Sequence, residues 1–82
     1  MIDVTVRFYS YFKDLTKCDS VVERIENGAT IDDLLKRVFE RMPQLRAMQK
    51  STLIAVGVEY QTRDYVLKAG DEVSLFPPVQ GG

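Results

Sequence analysis

The chain has no histidine and a single cysteine, Cys18, among its 82 residues. Without histidine it lacks the side chain most often used for proton transfer near neutral pH, which is also the commonest metal ligand. One cysteine cannot form an internal disulfide, so the fold cannot rest on such staples. No stretch approaches the roughly 20 apolar residues that a membrane-crossing helix requires. The N-terminus shows no basic stretch leading into an apolar run, so no signal peptide is expected. A dominant charge is missing too. Eleven basic residues stand against twelve acidic ones, for a net charge of -1, whereas nucleic-acid binding would call for a basic patch and a high pI. These absences lead to the expectation of a soluble cytoplasmic protein.

What is present suffices for one small domain. Hydrophobic residues make up 45% of the chain and charged residues 28%, ordinary values for a globule with one core. The length leaves no room for a second domain. A domain of this size buries only about 60% of its unfolded surface, so its stability is modest.

Residues 2–9 alternate: Ile2, Val4, Val6 and Phe8 point one way, Asp3, Thr5, Arg7 and Tyr9 the other. That period of two predicts a strand. Ser10 to Lys17 predicts a short helical turn. Residues 20–25 predict a second strand antiparallel to the first, followed by turn chemistry at Glu26-Asn27-Gly28. Thr30 with Asp33 three residues on has capping-box spacing, and Asp32 and Asp33 suit the positive end of a helix dipole. Ile31, Leu34, Leu35, Val38, Phe39 and Met42 recur at helical spacing, and Pro43 ends the run. A helix over 31–42 follows, with Lys36, Arg37, Glu40 and Arg41 on its solvated face.

Beyond the helix, Leu45 and Met48 are candidate anchors of a short helical turn. Leu53 to Val56 reads as a central strand, and Tyr60 as the start of a short return strand. Tyr65, Val66 and Leu67 form a small apolar cluster, Ala69-Gly70-Asp71 is a turn, and residues 72–76 are the last strand. Pro77-Pro78 stops it, since neither residue can donate a ladder hydrogen bond. One helix with an apolar stripe and several strands with one apolar face predict a two-layer α+β domain. A mixed sheet wrapped around one main helix, the β-grasp or ubiquitin-like arrangement, fits this order over residues 1–76. Residues 77–82 then form a protruding tail.

That tail is Pro77-Pro78-Val79-Gln80-Gly81-Gly82. The prolines hold it extended and cannot prolong the sheet. The two glycines carry no side chains and fit a channel too narrow for other residues. The α-carboxylate of Gly82 is then a single chemical handle on a thin arm. A loose, functionless end would show the same dipeptide, so the context has to decide.

The run Leu67-Lys68-Ala69-Gly70-Asp71-Glu72-Val73-Ser74-Leu75-Phe76-Pro77-Pro78-Val79-Gln80-Gly81-Gly82 resembles the end of the molybdopterin synthase small subunits, the MoaD-like members of the MoaD/ThiS ubiquitin-like family. The resemblance extends over the whole chain in length and element order. It includes Lys13-Asp14-Leu15, the helix opened by Thr30, and Leu53-Ile54-Ala55-Val56. The chain departs from the family's usual Asn at Gly57 and usual Arg at Lys13, and neither departure touches the tail.

The resemblance implies a sulfur carrier of molybdenum cofactor biosynthesis. Gly82 would be adenylated by a separate ATP-using enzyme (MoeB-like) and converted to a thiocarboxylate. The terminus, with Gly81, Gln80, Val79, Pro78 and Pro77 leading it, would enter the large catalytic subunit of molybdopterin synthase (MoaE-like). There it would give its sulfur to cyclic pyranopterin monophosphate. The chain would then have no catalytic side chains and no bound cofactor of its own. A sulfur carrier for thiamin or tRNA thiolation, and a ubiquitin-like modifier or binding module, remain as alternatives.

Phe76 and Tyr60 are candidate interface anchors, as exposed aromatics often are. Phe76 also reads as core, because the alternation does not settle its direction beside the prolines. Cys18, between Lys17 and Asp19, is expected in a loop with no special role. Asp32-Asp33 and Asp71-Glu72 fall at a helix start and a turn, where carboxylates are expected, and no spacing matches a metal site.

Overall fold

The computed structural model describes residues 1–77. Its elements are β1 (Ile2–Phe8), α1 (Tyr11–Thr16), β2 (Ser20–Ile25), α2 (Ile31–Arg41), a 3₁₀ segment (Pro43–Ser51), β3 (Leu53–Val56), β4 (Glu59–Tyr60) and β5 (Glu72–Phe76). The strands form one sheet in the order β2-β1-β5-β3-β4. β1 pairs antiparallel with β2 and parallel with β5, and β3 is antiparallel to both β5 and β4. This mixed sheet packed on one main helix is the β-grasp, ubiquitin-like arrangement expected from the element order. β3 is an interior strand as anticipated, but the middle of the sheet is β5.

The core forms where the two hydrophobic periods meet. Val4, Val6 and Phe8 from β1 and Val73 and Leu75 from β5 face Ile31, Leu34, Leu35, Val38 and Phe39 from α2, and all are buried. Phe12, Leu45 and Leu67 close its margins. β1 ends one residue short of the alternation. Tyr9 still donates its N–H to Leu75 O at 3.3 Å, but Ser10 takes φ 57° and ψ -141°. That conformation is costly for a residue with a Cβ, and it turns the chain into α1.

Helix α2 begins as its sequence requires. Thr30 Oγ1 accepts from Asp33 N–H at 3.3 Å, and Asp33 Oδ2 accepts from Thr30 N–H at 3.0 Å. The N–H groups of Ile31 and Asp32 donate to the carbonyls of Tyr65 and Arg63 at 3.0 and 2.9 Å. No donor of the first turn is therefore left without a partner, the usual weakness of a helix start. The helix stops at Arg41, one residue before the expected end. Met42, which precedes Pro43, takes φ -129° and ψ 72°, outside the helical region that a following proline disfavours.

Lys36, Arg37, Glu40 and Arg41 are all exposed on α2 as expected, and both arginines also hold partners on β2. Arg41 Nη1 pairs with Glu23 Oε2, and the Glu23 side chain is only 3% exposed. Arg37 Nη1 donates to the carbonyl of Arg24 at 2.9 Å. Lys36 faces Asp32 one turn earlier at 3.4 Å. At the other end of the molecule, Lys13 keeps an ion pair, with Asp19 at 3.0 Å. Gly57 has φ 62° at the first central position of the two-residue β3–β4 turn, where hairpins favour glycine.

Thr30→Ala removes one half of the capping box and is expected to cost about 1 kcal/mol. In a domain of this size that lowers the melting temperature by roughly 4–8 °C, measurable by circular dichroism. The hydrogen bond from Thr30 N–H, followed by that from its hydroxyl, holds the Asp33 carboxyl below its ordinary pKa of 3.8. A depressed carboxylate stabilises the fold above its unfolded-state pKa, and the contribution fades as pH falls through the folded value. Asp33→Asn is therefore expected to melt below the parent near neutral pH, with the two melting temperatures converging in strong acid.

Candidate functional site

The face of the sheet opposite α2 carries side chains that the core does not use. Ladder register sets Arg7, Ser74, Ala55 and Tyr60 side by side across four strands, with Phe76 opposite Leu53 in the next row. Ser74 and Ala55 are buried, at 5% and 8% exposure, and make a flat floor of small side chains. Aromatic rings stand around it. Tyr9 stacks on Phe76 with centroids 4.7 Å apart and planes 18° from parallel. Tyr60 lies 6.3 Å from Phe76 at a tilt of 58°. Both arrangements suit the ring quadrupoles. Val58, at the tip of the β3–β4 turn, is 99% exposed, and Tyr60 is 72% exposed.

A polar rim borders this patch. Arg7 Nε meets Glu72 Oε2 at 2.8 Å. The hydrogen bond that Arg7 donates to Glu72, and then the charge of that carboxylate, hold the guanidinium pKa above its ordinary value. An apolar centre with exposed aromatic anchors and a charged edge is the anatomy of a protein-binding surface.

The two predicted interface residues are thus brought together. Phe76 is half-buried, and the alternative of a core position is corrected: Val73 and Leu75 face the core, and Phe76 faces away with Ser74. Sequence reasoning missed Tyr9, Leu53 and Val58. The signal for Tyr9 was available, because it is an aromatic on the polar side of β1's alternation, two positions after Arg7. Nothing in the sequence alone marks Leu53 or Val58 apart from their hydrophobicity.

Pro77 follows Phe76 directly and is half-buried. The tail therefore starts at the border of the aromatic patch. Pro78, Val79, Gln80, Gly81 and Gly82 lie outside the described residues. Cys18 is partly buried in the loop between α1 and β2 and packs at the edge of the core. Among the described residues no cluster of three acidic, cysteine or histidine side chains is arranged to hold a metal ion. No described helix is long and apolar enough to cross a membrane.

Comparison with known proteins shows which chains this one is similar to. The chain is 27% identical over 84 residues to the molybdopterin synthase sulfur carrier subunit of Chlamydomonas reinhardtii, covering 99% of this chain and 100% of that protein. It is 26% identical to a chain in the complex of subunits 1 and 2 of the molybdopterin-converting factor from Helicobacter pylori. That similarity covers 99% and 100% of the two chains with a TM-score of 0.70. The small archaeal modifier protein 1 of Haloferax volcanii has the same fold, with a TM-score of 0.87 at 20% identity over 96% and 100% of the chains. A family match running from residue 6 to residue 82 completes the case, and by it the chain belongs to the ThiS family.

Proposed function

We propose that this chain is the sulfur-carrying small subunit of a molybdopterin synthase, working in the cytoplasm. One observation carries the reading: the family match continues to Gly82, in a chain resembling a named sulfur carrier over its full length. The aromatic patch supports it, because a docking surface lies where the tail begins.

The chemistry follows from what a carboxylate lacks. It is a poor electrophile, so the Gly82 carboxylate first attacks ATP on an adenylating partner, forming an acyl adenylate and releasing pyrophosphate. A sulfur donor then displaces AMP and leaves a thiocarboxylate. In the large subunit this sulfur attacks a side-chain carbon of cyclic pyranopterin monophosphate, and a C–S bond forms as a C–O bond to that carbon breaks and its oxygen leaves. Water then cleaves the S–acyl bond, which leaves the sulfur on the pterin as a thiol and restores the carboxylate. The small subunit brings the reacting atom, and the partners supply proton transfer and phosphate binding. The absence of histidine is compatible with that division. The Tyr9–Phe76–Tyr60 face docks the large subunit, and Gly81 and Gly82 pass through its narrow entry.

Intact mass spectrometry after incubation with an adenylating enzyme, ATP and a sulfur donor tests the central claim. The expected result is a mass gain equal to exchange of one oxygen for sulfur, abolished when Gly82 is deleted. A terminus left unmodified by its cognate activating enzyme would sink it. Gly81→Ile is expected to block activation or transfer while leaving the circular dichroism melt unchanged. Phe76→Asp is expected to weaken binding to the large subunit by about tenfold or more, since a buried aromatic anchor is commonly worth ~1.4 kcal/mol or above. Calorimetric titration reads that loss.

A further inference from the structure

We infer that α2 guards the free edge of β2 against pairing with a second copy of this chain. Of the two sheet edges, β4 has only two residues, whereas β2 has six. A six-residue edge presents enough unpaired backbone to template another strand.

The hydrogen-bonding phase shows which groups are on offer. Phe8 N–H donates to Asp19 O at 2.9 Å, while Thr5 N–H turns the other way, to Asp71 O at 2.9 Å. Bonded and non-bonded pairs alternate along an antiparallel ladder. With the observed register, Asp19, Val21, Glu23 and Ile25 therefore bond β1. Ser20, Val22 and Arg24 turn their N–H and C=O groups outward.

This outward set is self-complementary. A two-fold axis through Val22 would set Val22 opposite its own copy and Ser20 opposite the copy's Arg24, with donors facing acceptors at every pair. Val22 is 63% exposed and would gain an apolar partner at the centre of such a ladder.

Arg37 blocks that register. Its Nη1 donates to Arg24 O, the acceptor that Ser20 N–H of the copy would need, and symmetry repeats the block at the other end. One helical turn later, Arg41 engages Glu23, a charged side chain on the core side of the same edge strand. Inward-pointing charge is another way in which edge strands resist pairing. The Asp3–Arg24 ion pair at 3.1 Å is a surface pair of little weight by comparison. The two arginines, four residues apart on one side of α2, thus act on the same edge.

Sedimentation equilibrium over a range of concentrations tests the guard in the full chain. The parent is expected to remain at 9.4 kDa. Arg37→Ala is expected to rise toward twice that mass with concentration, with amide exchange at Val22 slowed at least tenfold in the associated form. Arg37→Gln, too short to reach the carbonyl as arginine does, is expected to behave alike. Adding Val22→Lys places two ammonium groups face to face and is expected to return either variant to monomer. Two folded arginine variants that stay monomeric at every concentration would overturn the inference. So would a parent already paired through β2, or association that survives Val22→Lys.

Discussion

The parallel ladder between Thr5–Phe8 of β1 and Glu72–Leu75 of β5 constrains everything else in this domain. Parallel neighbours cannot be joined by a hairpin, so the chain between them must cross over one face of the sheet. The crossover here carries α2, whose apolar stripe covers Val4, Val6, Val73 and Leu75. Because β5 takes the middle position, its inward side chains complete the core and its outward ones, Ser74 and Phe76, complete the aromatic outer face. One strand serves both layers, and it ends where the tail begins.

The helix is held at its start as firmly as along its stripe. The carbonyls of Arg63 and Tyr65 accept from its first turn, and Leu67 N–H donates to Ala29 O at 2.9 Å. The segment from 61 to 71 has little regular structure, yet these bonds fix it across the helix entrance. Its far end is tied by Asp71, whose carboxylate accepts from Lys68 N–H at 2.9 Å, and by Gly70 N–H donating to Asp3 O at 2.9 Å. The chain therefore enters β5 in a register set by backbone bonds from β1.

Much of this was legible in the sequence because local periodicity and local geometry coincide. The alternation in residues 2–9, the Thr30–Asp33 capping pair and the stripe from Ile31 to Phe39 each describe a single element and need no knowledge of its neighbours. Sheet order was harder, since nothing in Glu72–Phe76 alone says that it inserts between β1 and β3. Glu23 was the least legible residue. Its place in the alternation points it inward between Val21 and Ile25, a costly position for a carboxylate unless a partner reaches it. That partner, Arg41, is eighteen positions away. The role proposed for the tail rests on composition and a terminus alone, and residues 78–82 lie outside the described ones. The aromatic face was only half read, since Tyr9 is the base on which Phe76 stacks.

The position of β5 also has a consequence for how the molecule is made. β1 is the first strand to leave the ribosome and β5 the last, yet they are direct neighbours. The sheet cannot close around α2 while residues 72–76 are still missing, because β1 and β3 would face each other across an empty lane. Contacts of such long sequence separation form late and slow folding down. A nascent chain interrupted before β5 would thus lack the strand that joins the two halves of its sheet, and α2 would have only part of its apolar stripe covered.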